Sequence, residues 1–114
     1  MSAITTHILD ISIGKPATGV AVRLDRQTES GHWEELGRQE TDDDGRARDL
    51  VTADEPLTAA VHRLTFDVVP YFQGREVDSF YREITIAFVV SDASQHYHVP
   101  LLLSPFGYST YRGS

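Results

Sequence analysis

Apolar and polar residues alternate along most of this chain with a period of two, the pattern of strands with one face buried and the other wet. Residues 6–13, "THILDISI", place Ile8 on one face and His7 and Leu9 on the other, and "GKPATG" after them is turn chemistry. Residues 20–27 predict a second strand with Val20, Val22 and Leu24 on one face. A turn at "TESGH" leads to a third strand over 33–41, where broken alternation predicts a sheet edge or a β-bulge near Gly37. "DDDGR", residues 42–46, predicts a tight turn with aspartate at its start and Gly45 in the left-handed position. A strand over 62–69 is ended by Pro70. The segment "GREVDSFYRE", residues 74–83, is the one expected helix, because Val77, Phe80, Tyr81 and Ile84 recur at i, i+3, i+4 and i+7. Strands return over 83–90, 96–103 and 107–112, the last two joined by the turn "SPFG".

Seven or eight short strands and one short helix, without an internal repeat or a linker, predict a single domain over 1–114. The fold class this supports is all-β, an antiparallel β-sandwich. Parity assigns Tyr97, Val99, Leu101 and Leu103 to the core, and puts His96, His98, Pro100, Leu102 and Ser104 on the other face. A face that mixes imidazole with apolar groups suits a cleft or an interface. The final strand is expected at a sheet edge, where its tyrosines and threonine invite pairing with a second copy.

Composition narrows the chemistry. Apolar residues at 40% and charged residues at 24% are ordinary for a soluble domain. Seventeen acidic against ten basic side chains give a net charge of −7, which argues against a nucleic-acid or anionic-membrane partner. With no cysteine there is no disulfide, thiolate nucleophile or Cys-based metal site. The longest apolar run, "ITIAFVV", is too short to span a bilayer, the first residues lack a secretory pattern, and the last three are not a peroxisomal address. A cytoplasmic protein is expected.

No nucleophile elbow, phosphate loop or dinucleotide fingerprint occurs, so the available tools are imidazole, guanidinium, hydroxyl and water. These suit hydrolysis or isomerisation. His96 and His98 could converge on a metal, but no spacing supplies a third ligand, and satisfaction by neighbouring backbone is the plainer reading. His7 is open to the same two readings, while His32 and His62 are assigned to solvent or structure. The run Asp42-Asp43-Asp44 reads as a solvated turn. No metal or cofactor is expected.

Three stretches, "THILD…GKPATGVAV", "ETDDDGR" and "HYHVPLLLSPFGYSTYRGS", taken together and in this order, resemble the 5-hydroxyisourate hydrolases, the transthyretin-like enzymes of purine breakdown. The resemblance covers essentially the whole chain, and the terminal Tyr-Arg-Gly-Ser separates the enzymes from the hormone carrier. It implies two four-stranded sheets with a short helix between the fifth and sixth strands, assembled as a homotetramer, a dimer of dimers, with sites where dimers meet. It implies hydrolysis of 5-hydroxyisourate to 2-oxo-4-hydroxy-4-carboxy-5-ureidoimidazoline. By motif, the catalytic residues are His7 of "THILD", Arg46 of "DGR" and His98 of "HYH", and His7, Arg46, Tyr111 and Ser114 hold substrate. Imidazole takes a proton near neutral pH and a guanidinium steadies developing negative charge, with the two histidines sharing water activation and proton delivery. Two departures stand out: Asp42 where relatives often carry asparagine, which bears on the electrostatics of Arg46, and Arg82 where a proline is common, expected at the helix end. The rival reading is a transthyretin-like carrier without turnover.

Overall fold

The computed structural model describes residues 3–52 and 56–114. Among these residues nine strands and one helix follow in the order β1 (Ile4–Asp10), β2 (Lys15–Pro16), β3 (Ala21–Gln27), β4 (Trp33–Glu40), β5 (Arg46–Ala47), β6 (Ala60–Asp67), α1 (Val69–Gly74), β7 (Glu83–Val90), β8 (Tyr97–Ser104) and β9 (Gly107–Thr110). Two sheets face one another: β2-β1-β8-β9, with β5 also on β1, and β4-β3-β6-β7. The mainly-β sandwich expected from the alternation is the observed architecture. The helix lies between the sixth and seventh strands rather than the fifth and sixth, and the first sheet has five strands rather than four, because β1 takes the two-residue strands β2 and β5 along one edge. No helix among the described residues is long and apolar enough to cross a membrane.

Alternation places the core where parity predicts. Ile4 and Ile8 from β1, Val22 and Leu24 from β3, Leu64 and Phe66 from β6, and Tyr97, Val99, Leu101 and Leu103 from β8 are all buried. The bulge expected near Gly37 is present: the β3–β4 register steps from Leu24↔Gly37 to Asp25↔Glu35, leaving Leu36 as the extra residue. Gly37 itself is required, since a Cβ there would run into the Leu50 carbonyl.

One pairing departs from the antiparallel rule. β1 runs parallel to β8 along its whole length, from Ile4↔Tyr97 to Asp10↔Leu103. The opposite edge of β1 is met by two short strands in turn, β5 at Thr6 and His7 and β2 at Leu9 and Asp10.

The helix does not lie over 74–83. It is Val69–Gly74, with Pro70 in its first turn, where a missing N–H costs nothing. Pro70 therefore lies inside the start of a helix and does not end the strand, since β6 already ends at Asp67 and Val69 is helical. Two anchors decide the position: Phe72 is buried, and the Tyr71 hydroxyl donates to Asp10 Oδ2 at 2.7 Å. The helical spacing of Val77, Phe80, Tyr81 and Ile84 misleads because Val77 and Phe80 stay 37% and 72% exposed, while Ile84 is buried as part of β7. Arg82 accordingly sits next to the start of β7 rather than at the helix end.

Candidate active site

The turn at 42–46 builds one wall of the site. Gly45 adopts φ +76°, and a Cβ on it would lie 2.5 Å from the Ile8 carbonyl oxygen, so only glycine lets the turn close against β1. Ile8 N–H donates to Gly45 O at 2.7 Å, which fixes the docking. Asp42 Oδ1 accepts from the N–H groups of Asp44 and Arg46, at 2.9 and 3.0 Å. These bonds, that of Arg46 first, hold the Asp42 carboxyl below the usual range. The charge at Asp42 is thus spent on the turn's own backbone. The turn delivers Arg46 into β5, directly opposite His7 on β1.

The second wall is β8. Its parallel pairing sets Thr5 beside His98, and His7 beside Pro100. Thr5 Oγ1 lies 2.8 Å from His98 Nδ1 and 3.0 Å from His96 Nε2. The two histidines therefore turn on one hydroxyl, and no group of three or more His, Asp or Glu side chains gathers as a metal set among the described residues.

The chain end is the third wall. β9 lies at the sheet edge beside β8, as expected, but stops at Thr110, because Pro100 opposite the next residue has no N–H to offer. Thr110 Oγ1 donates to Pro100 O at 2.6 Å, and Gly113 N–H donates to His98 O at 2.8 Å in the same register. Arg112 folds back over the Tyr97 ring, 4.5 Å from its centroid, and donates to Gln95 Oε1. Gly113 has to be glycine: a Cβ there would meet His98 Cδ2 at 2.6 Å.

Between these walls is a cleft of about 670 Å³ lined by Thr5, Arg46, Arg48, His96, His98 and Ser114, among others. Burial first, and then the charge of Arg46 and the positive charge that His7 or His96 would carry if protonated, lower the basicity of His98. His98 is therefore neutral at neutral pH and can accept a proton. A hollow of equal volume on the opposite sheet contains no histidine, and two of its arginines are engaged, Arg23 with Asp25 and Arg38 with Glu35.

Of the residues singled out in the sequence, Arg46, His98 and Ser114 meet in this cleft. His7 stands at its margin, paired in register with Arg46 and close enough to act on His98. Tyr111 does not join them: it is 58% exposed and lines a smaller hollow of about 270 Å³ with Ile86, Phe88 and Val99. Thr5 and Arg48 escaped the sequence analysis, and His96 meets a side-chain hydroxyl, that of Thr5, where neighbouring backbone was expected. Thr5 lay outside the strand read over 6–13, and its neighbour across the sheet follows only from the pairing of β1 with β8.

Comparison with known proteins converges on one group. The family model described as HIUase/Transthyretin family matches residues 4–113. A 5-hydroxyisourate hydrolase of Caulobacter vibrioides is 49% identical over 119 aligned positions, covering 100% of both chains. The solved 5-hydroxyisourate hydrolase of Klebsiella pneumoniae superposes with a TM-score of 0.85 at 39% identity, covering 100% of both chains. Transthyretin from Sparus aurata superposes with a TM-score of 0.91 at 30% identity, over 99% of this chain and 97% of that one.

Proposed function

Since the chain belongs to the HIUase/Transthyretin family, we propose that the cleft between β1, β5 and the chain end is where it hydrolyses 5-hydroxyisourate. The protein is a 5-hydroxyisourate hydrolase and not a carrier, in keeping with the hydrolases it matches over nearly its full length. Water adds to a ring carbonyl, the cyclic C–N bond opens, and the product is 2-oxo-4-hydroxy-4-carboxy-5-ureidoimidazoline.

The convergence of a neutral imidazole and a guanidinium in one cleft carries the site assignment. His98 takes the water proton, and Arg46 holds the carbonyl oxygens and steadies their negative charge as water adds. His7, aligned with Arg46, shares the proton traffic. Ser114 and Tyr111 complete the substrate-binding set, Tyr111 by way of the assembled protein. The dimer-of-dimers assembly and the cytoplasmic location belong to the same proposal. Exposed Val89 on β7 and Tyr108 on β9 support the assembly, since both strands are sheet edges.

The test is the decay of 5-hydroxyisourate generated in place by urate oxidase, followed spectrophotometrically. The expected result is acceleration by the wild type, unaffected by chelator. His98→Ala should cut the rate by roughly 10²–10⁴ and Arg46→Met by roughly 10²–10³, with both variants folded. Wild-type turnover in His98→Ala would refute the assignment.

A further inference from the structure

The hydroxyl of Thr5 stands between two imidazoles, 2.8 Å from Nδ1 of His98 and 3.0 Å from Nε2 of His96. A hydroxyl carries one hydrogen, so it donates to one ring and accepts from the other. Two arrangements follow, which differ in the direction of the hydroxyl and in the tautomer of both rings. In one, His98 Nδ1–H donates to Thr5 and Thr5 donates to His96, which leaves a lone pair on His98 Nε2. In the other the directions reverse, and His98 Nε2 carries the hydrogen. That nitrogen has no hydrogen-bond partner among the described residues, whereas Nδ1 is committed to Thr5.

The surroundings differ sharply between the two rings. Thr5 is 8% exposed and His98 half-buried, while His96 is exposed to solvent. Arg46 and His7 bear on His98, and both disfavour a second positive charge there. Water can reach a positive charge at exposed His96 more freely than one at half-buried His98.

We propose that Thr5 is a positioning residue that relays a proton from His98 to His96, so that His98 stays neutral while water attacks. This rests on the reading of the cleft as the hydrolase site. In the forward step an O–H bond of water breaks as its oxygen bonds to the carbonyl carbon, and the proton joins His98 Nε2. The Nδ1 proton passes to Thr5 Oγ1, and the hydroxyl's own proton passes to His96 Nε2. His98 ends neutral with hydrogen on Nε2, Thr5 is again a hydroxyl, and His96 is the cation. As the C–N bond breaks, the ring nitrogen takes the Nε2 proton while His96 returns its proton through Thr5 to His98 Nδ1, so that His98 stays neutral and the site is reset.

The experiment compares four enzymes in the urate-oxidase-coupled assay: wild type, Thr5→Val, Thr5→Ser and His96→Gln. Valine keeps the volume and removes the hydroxyl. Serine keeps the hydroxyl, and glutamine keeps a hydrogen-bonding amide that cannot be protonated. The expected result is a fall in kcat of about tenfold to a hundredfold in Thr5→Val and His96→Gln. KM should stay within twofold in both, and Thr5→Ser should run near the wild-type rate. Added imidazole should restore His96→Gln, whose defect is at an exposed position, and not Thr5→Val. Normal kcat in His96→Gln, or Thr5→Ser as slow as Thr5→Val, would overturn the relay. If Thr5→Val fails to fold, the serine and glutamine variants still decide it. Absence of turnover in the wild type would instead refute the hydrolase reading itself.

Discussion

A methyl group placed on Gly113 would test how tightly the chain end holds the site. The Cβ of Gly113→Ala would sit 2.6 Å from His98 Cδ2 and 3.3 Å from both His98 Cγ and Pro100 Cγ. Carbon atoms rest at about 3.5–4.0 Å, so the imidazole must retreat by about 1 Å or the terminal strand must lift away. Retreat stretches the Thr5–His98 hydrogen bond from 2.8 Å toward a separation at which it no longer counts as one. A displacement of about 1 Å at a reacting group costs on the order of 10²-fold in rate, equivalent to about 2.7 kcal/mol of transition-state stabilisation. Stability should change little, by under about 0.5 kcal/mol, because the segment is a surface strand held by few bonds. The assay is kcat/KM for 5-hydroxyisourate beside a thermal melt. Gly107→Ala is the control, since a Cβ there meets only Ser104 Oγ at 3.7 Å, and it should retain full activity. A Gly113→Ala enzyme with the kinetic constants of wild type would refute the packing argument.

Other perturbations have equally definite outcomes. The acid limb of kcat/KM should lie below about pH 6.5, the ordinary imidazole value, and Arg46→Met should move it upward because a cation that opposes protonation of His98 is gone; an unmoved limb in the residual activity counts against this. His62 is fully buried against Phe88, its Nδ1–H donates to Ala60 O at 3.0 Å, and its Nε2 finds no partner among the described residues. Burial lowers its pKa in the folded state, so its contribution to stability is present above about pH 6.5 and is lost as pH falls through the lower folded value. His62→Phe should therefore flatten the fall in Tm between about pH 7.5 and pH 5, and a slope identical to wild type would contradict it. Tyr71→Phe removes one donor to the fully buried Asp10, which is otherwise served by the N–H and hydroxyl of Ser12. The loss should be about 2 kcal/mol, or on the order of 8 °C in Tm at fixed protein concentration, with activity unchanged. A shift under about 1 °C would show that Asp10 does not need the phenol.

Local chemistry was legible wherever a residue's role depends on its own backbone or on its parity. Gly45 and Gly31 both take positive φ in turns read from composition, and the break in alternation marked the bulge beside Gly37. The face of β8 that enters the core was read residue by residue. The helix was misplaced because helical spacing reports a possible apolar face without saying whether anything covers it. Phe72 and Tyr71 found cover in the core and at Asp10, while Val77 and Phe80 did not.

What the sequence determined by itself was the class of fold and, through a resemblance to known hydrolases, a short set of chemically apt side chains. A period of two states which face a residue occupies, and that follows from the geometry of one strand alone. It cannot state which strand lies alongside. The parallel pairing of β1 with β8 joins residues more than ninety positions apart, and no local pattern encodes it, because the energy that selects it comes from burying both sheets together. That pairing put Thr5 between two imidazoles, while the pairing of β5 on the other edge of β1 put Arg46 opposite His7. The pairing of β9 with β8 led the chain end past His98 closely enough that only glycine fits. The residues were present in the sequence; their acidity, neighbours and access to substrate were decided by the tertiary structure, since each depends on atoms supplied by distant parts of the chain.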